Sequence, residues 1–122
     1  MILLQTKSLD GPSKIEANDI SIILPTQGDW REDTLLLLHA LIEETLIRAN
    51  QVNPIAISQF DTKFAAKVDK AQLPHGIESG DEPNAPYAFE HCVATGIERV
   101  VAALIGVQWK EYREHIAEQP QT

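Results

Sequence analysis

The sequence predicts an α+β fold that is mainly α, with an N-terminal β-hairpin packed on a three- to four-helix bundle. Three observations carry this. Apolar residues recur at helical period over three long stretches and one short one. Capping or breaking residues bracket each stretch. The N-terminal 25 residues instead hold two short Ile/Leu runs separated by a turn signal. A chain of 122 residues with 43% hydrophobic content suits one domain, spanning 1–122, with a single core.

The strands come first. Ile2, Leu3 and Leu4 form one run, and Ile20, Ile22, Ile23 and Leu24 the other, ending at Pro25. Between them Leu9-Asp10-Gly11-Pro12-Ser13 reads as a turn, so residues 1–25 are expected to form a hairpin. Two strands alone are marginal and need the helices for support.

The first helix is predicted over 29–50. Asp29 with Glu32 three residues later fits a capping box, and Asn50 suits a left-handed end. The second, 54–71, opens on Asn53-Pro54, a cap followed by proline at the first helical position. A loop with three prolines follows. The third helix is predicted over 86–105, stopped by Gly106, and the fourth over 108–118, with Trp109, Tyr112 and Ile116 on one side. The tail 119–122 is expected to fray.

Charge excludes some functions. Eighteen acidic against 10 basic residues give a net charge of −8, with no Lys/Arg cluster to meet phosphates. No nucleic-acid partner and no anionic membrane partner is expected. Apolar runs such as Leu35-Leu36-Leu37-Leu38 fall far short of the roughly 20 residues of a membrane span. The N-terminal apolar run is too short for a signal peptide. A lone cysteine, Cys92, fits a reducing compartment, so a cytoplasmic location is expected.

Polar residues interrupt the apolar faces. With Leu35 at zero on the first helix, His39 falls at about 40° and Glu43 at about 80°, inside the apolar arc. With Ile57 at zero, Asp61 falls at about 40°. With Phe89 at zero, Glu90 falls at about 100°, in the middle of the apolar face, while Glu98 and His91 fall at about 180° and 200°, on its margin. Buried charges are costly unless paired, protonated or metal-bound. His39 and Glu43, four apart, have the spacing of two ligands to one ion, and bundles build metal sites from Glu and His on facing helices. His39, Glu43 and Glu90 are therefore candidate metal ligands, with His91 and Glu98 marginal ones. Asp61 is a candidate further ligand or general base. One His with carboxylates suits a divalent Zn, Mn or Fe ion.

Bland readings stand beside these. His39 could be a core histidine satisfied by Glu43, Arg31 could pair with a buried acid, and the polar residues could line a homo-oligomer interface. His75, beside Glu78, Asp81 and Glu82, reads as a solvated connection, with a lid or cation-binding turn as the sharper alternative. Cys92 reads as structural, and Trp30, Trp109 and Tyr112 as packing residues. There is no Gly-rich phosphate loop, Cys-x-x-Cys pair, Gly-x-Ser-x-Gly elbow or His-Glu-x-x-His.

His39-Ala40-Leu41-Ile42-Glu43, Phe60-Asp61 and the run Asp81-Glu82-Pro83-Asn84-Ala85-Pro86-Tyr87-Ala88-Phe89-Glu90-His91 together resemble a group of short bacterial and phage-borne proteins. That resemblance, over about 29–112, implies a mobile-element origin and no particular activity. The chain is also similar to the all-α nucleotide pyrophosphatases, which hold Mg²⁺ with Glu-Glu-x-x-Glu on one helix and Glu-x-x-Asp on the next. Here Glu43-Glu44 is followed by Ile47, and Glu98 by Val101, so both motifs are incomplete.

Two functions follow as expectations. The first is a metal-binding, hydrolase-like protein acting on a small substrate such as a phosphate compound. The second is a non-catalytic interaction or homo-oligomeric assembly module, with helix four and the strand edge as the contact and the inner acids paired or protonated.

Overall fold

The computed structural model describes residues 2–7, 20–70 and 76–118. In chain order these form β1 (Ile2–Lys7), β2 (Ile20–Pro25), α1 (Trp30–Ala49), α2 (Pro54–Asp69), a 3-10 turn (Ser79–Asp81), α3 (Ala88–Leu104) and α4 (Trp109–Glu118). The expected turn at 9–13, His75 and the tail 119–122 lie outside the described residues.

The strands correct the hairpin. β1 and β2 pair in parallel, Ile2 opposite Ile20 and Lys7 opposite Pro25. A tight turn joins only antiparallel strands, whereas parallel ones need a longer crossover. The Gly-Pro signal marks a change of direction without fixing which way the next strand runs. In β2, Ile20 and Ile22 are buried, as alternate residues of a strand lying on α1 should be.

Helix boundaries follow the capping chemistry. Asp29 accepts the Arg31 amide at 2.8 Å. Glu32 makes a long-range tie instead of the expected box: its carboxylate meets His115 Nδ1 of α4 at 2.6 Å. At the far end of α1, the Val52 amide reaches the Ile47 carbonyl and the Gln51 amide that of Arg48, a Schellman closure. Its left-handed residue is Gln51 (φ 54°), not Asn50. Asn53 accepts the Ile55 amide at 2.9 Å, with Pro54 beginning α2. Gly106 (φ 77°) closes α3 in the same Schellman manner, the Val107 amide bonding the Ala102 carbonyl.

The apolar core lies between α1, α3 and α4. Leu35, Ala102 and Tyr112 are its buried centre, with Ile105, Trp109 and Ile116 among those packed against it. Trp30, expected as a packing residue, is 72% exposed. Arg31, expected to seek a buried acid, lies 3.7 Å from Asp29 on its own helix end.

α3 is turned by roughly a quarter turn from the face its apolar pattern predicts. Its buried residues are Glu90, His91, Ala94, Glu98 and Ala102. Phe89, Val100 and Leu104 are 66%, 60% and 79% exposed. The residues on the margin of the predicted face, His91 and Glu98, thus lie near the middle of the inward one, because α1 opposes them with polar partners of its own.

Candidate functional site

Four elements converge on one polar cluster. α1 supplies His39 and Glu43, one turn apart. α3 supplies His91 and Glu98, two turns apart and hence on one face. The 3-10 turn supplies Asp81, preceded by Glu78, and α4 supplies Tyr112 and Arg113. His39 Nδ1 lies 2.9 Å from Glu98 Oε1, and its Nε2 lies 3.0 Å from Glu43 Oε2. The same Glu43 oxygen lies 2.8 Å from His91 Nδ1, while His91 Nε2 lies 2.9 Å from Asp81 Oδ1. Tyr112 donates to Glu98 Oε2, and Arg113 to Glu78 Oε1, each at 2.5 Å. The two imidazoles meet edge to face, centroids 4.9 Å apart.

Every nitrogen of both imidazoles faces a carboxylate oxygen. An ionised carboxylate only accepts, so each ring nitrogen donates and both rings are held as imidazolium. Burial opposes charge on His39, but the hydrogen bonds and charges of Glu43 and Glu98 outweigh it and raise its pKa to about 10. Burial likewise pushes Glu43 up, and the two imidazoles overcome this and bring it down to about 2. His91 is raised as well: burial disfavours its charge, and Glu43 and Glu78 more than restore it. Two imidazoliums and a guanidinium stand against four carboxylates here. Glu43 is thus neutralised by cationic neighbours rather than by protonation. Outside this set, burial and the charge of Glu43 raise the pKa of Glu44, which is half-buried rather than on the open surface.

The 3-10 turn is pressed onto the site. Glu78 and Asp81 cap it reciprocally, the Glu78 amide donating to Asp81 Oδ2 at 2.9 Å. Gly80 lies directly on the His91 ring, where a Cβ would stand 2.6 Å from Nδ1 and 2.7 Å from Cβ. Only glycine allows that approach.

His39, Glu43, His91 and Glu98 are therefore brought together. Glu90 is buried elsewhere, accepting from Asn50 Nδ2 at 2.6 Å. Asp61 accepts from the Tyr87 hydroxyl at 2.8 Å, and Tyr87, also bonded to Ser79, packs edge-on against His91. Asp61 thus reaches the site through Tyr87. Glu78, Asp81 and Arg113 complete the cluster without any periodicity that marks them, and Tyr112, expected as a packing residue, joins it through its hydroxyl. Their signal lay in the acid-rich loop around His75 and in the amphipathic fourth helix.

His39, Glu78 and His91 each offer a ligand atom, all within 4.8 Å of one another. Glu43 already touches a nitrogen of both imidazoles. Glu98, anchored by Tyr112, holds Nδ1 of His39, the outer-shell arrangement in which Nε2, here bonded to Glu43, would ligate. A divalent ion displacing one proton from each imidazole leaves the net charge of the cluster unchanged, so the donor set fits such an ion. Beside it a cleft of about 410 Å³ is lined by Asp81, His91, Cys92, Gly96, Arg99 and Trp109, among others. Cys92 is exposed there rather than structural. Among the described residues no helix is long and apolar enough to cross a membrane. No family model, curated protein or solved structure matches this chain.

Proposed function

We propose that this chain is a metal-dependent, hydrolase-like protein in which His39, His91 and Glu78 hold a divalent cation, with Glu43 beside both imidazoles. The observation that supports this is the approach of those three ligand atoms to within 4.8 Å. Two imidazoles with carboxylates suit Zn, Mn or Fe. Such an ion supplies an acidified bound water. Asp81, at the cleft and hydrogen-bonded to His91, is the carboxylate that would orient that ring and take up a proton. Elemental mass spectrometry of the untagged, unchelated chain tests the reading. Near-stoichiometric metal, lost in Glu78→Gln and His91→Gln, is expected. Because ligation must displace two imidazolium protons, apparent affinity should rise by up to about tenfold per pH unit for each proton released. A chain that takes up none of these ions under alkaline conditions overturns the reading.

A second reading, self-assembly, is favoured by the exposed seam of α3. Phe89, Ile97, Val100 and Leu104 lie along its outer face and are all exposed, and half-buried Val93 completes their 3–4 spacing. Such a seam complements its own copy across a two-fold axis. α4 is not the contact under this reading, since Tyr112 and Ile116 serve its own core. Sedimentation is expected to show a dimer that Val100→Glu converts to monomer. A wild-type monomer up to the solubility limit overturns it.

A further inference from the structure

The cleft beside the cluster has the size of a small-molecule site, about 410 Å³. Asp81 and His91 reach it from the cluster, and Thr95, Cys92, Arg99 and Trp109 line it from α3 and α4. In a chain of net charge −8, Arg99 has no carboxylate partner among the described residues. Its guanidinium instead lies 5.7 Å from the centre of the Trp109 ring. That contact orients the fork while leaving its N–H donors open, the arrangement suited to gripping a planar or tetrahedral oxyanion.

Gly96 gives an independent indication. It sits within α3, where glycine costs about 1 kcal/mol relative to alanine. A Cβ at Gly96 would meet no atom within 4 Å, so packing does not demand glycine there. Gly96 borders the cleft, and its missing side chain leaves that edge open.

We propose that this cleft seats a small molecule bearing an oxyanion, phosphate or carboxylate, with Arg99 binding the anion and the bare backbone of Gly96 leaving it room. This rests on the metal-centre reading for its chemistry and deepens it by naming the class of molecule brought beside His91 and Asp81. Trp109 is a positioning residue, acting through Arg99.

Calorimetric titration of the full chain with phenyl phosphate, and separately with benzoate, tests the proposal and tells which oxyanion is preferred. Saturable binding of at least one probe is expected. Arg99→Gln and Gly96→Leu should each weaken it about tenfold or more, the loss expected of a charged hydrogen bond or a filled site. Lys63→Gln, removing the same charge from α2, should leave affinity unchanged. Cys92, the single cysteine, supplies a second readout: its alkylation by iodoacetamide should slow when the probe is bound. Failure of both probes to saturate, or equal binding by both variants, overturns the proposal. Metal content of the same preparations separates the two readings. Metal without anion binding sinks the seat alone, and anion binding without metal uptake sinks the metal centre alone.

Discussion

The Tyr112 hydroxyl donates to the Glu98 carboxylate at 2.5 Å, and both side chains are about 1% exposed. A charge so far from water depends on each donor aimed at it, and Glu98 has His39 on one oxygen and Tyr112 on the other. Tyr112→Phe keeps the ring in the core and strips one donor from that charge. It should lower stability by about 1–3 kcal/mol, read as a reduced urea midpoint with unchanged slope. A midpoint equal to wild type would mean that Glu98 does not need the hydroxyl.

The pH profile of the metal-free protein follows from the two opposed shifts. His39 rises from 6.5 to about 10, so its contribution is complete below 6.5 and fades as pH climbs to about 10. The upward shift of His91 acts on the same alkaline side. Glu43 falls from 4.5 to about 2, so its contribution is complete above 4.5 and fades as pH drops to about 2. Stability should therefore peak between about pH 4.5 and 6.5, with slopes approaching about 1.4 kcal/mol per pH unit for each titrating group. Urea unfolding across pH at fixed ionic strength measures this. A maximum above about pH 8 would contradict the doubly protonated cluster.

Gly80→Ala should damage the site more than its size suggests. The added methyl must push the 3-10 turn off the His91 ring and with it the Asp81 carboxylate. Overpacking of this kind costs about 1–3 kcal/mol. The expected signature is lost stability together with a His91 imidazole pKa moved toward its ordinary value, followed by NMR. Wild-type values for both would show that the turn gives way freely.

Much of this was legible in the residues. Asn53-Pro54 and Gly106 set helix ends because their chemistry is local, and His39 with Glu43 declared themselves by spacing on one helix. The orientation of α3 was not legible. A helical wheel assumes that the apolar arc faces the core, and it placed Glu90 in the middle and His91 with Glu98 at the edge. Polar partners on α1 drew His91 and Glu98 inward as well, and a single helix cannot reveal its neighbour's preference. Glu78 and Asp81 escaped because a turn has no period. The parallel strands escaped because turn residues report a reversal of the chain and not its return path.

The cluster also bears on the order of folding. Its ties join residues far apart in sequence: His39 to Glu98 across 59 positions, Glu43 to His91 across 48, and Glu32 to His115 across 83. Such contacts return nothing until long loops have closed, so they form after the helices and slow the chain relative to a bundle of neighbours. Until α4 docks, Glu98 lacks Tyr112, and a nascent chain short of its last helix presents α1 and α3 with an unsatisfied charge between them. The polar interior thus makes completion of the C-terminal segment a condition for closing the rest.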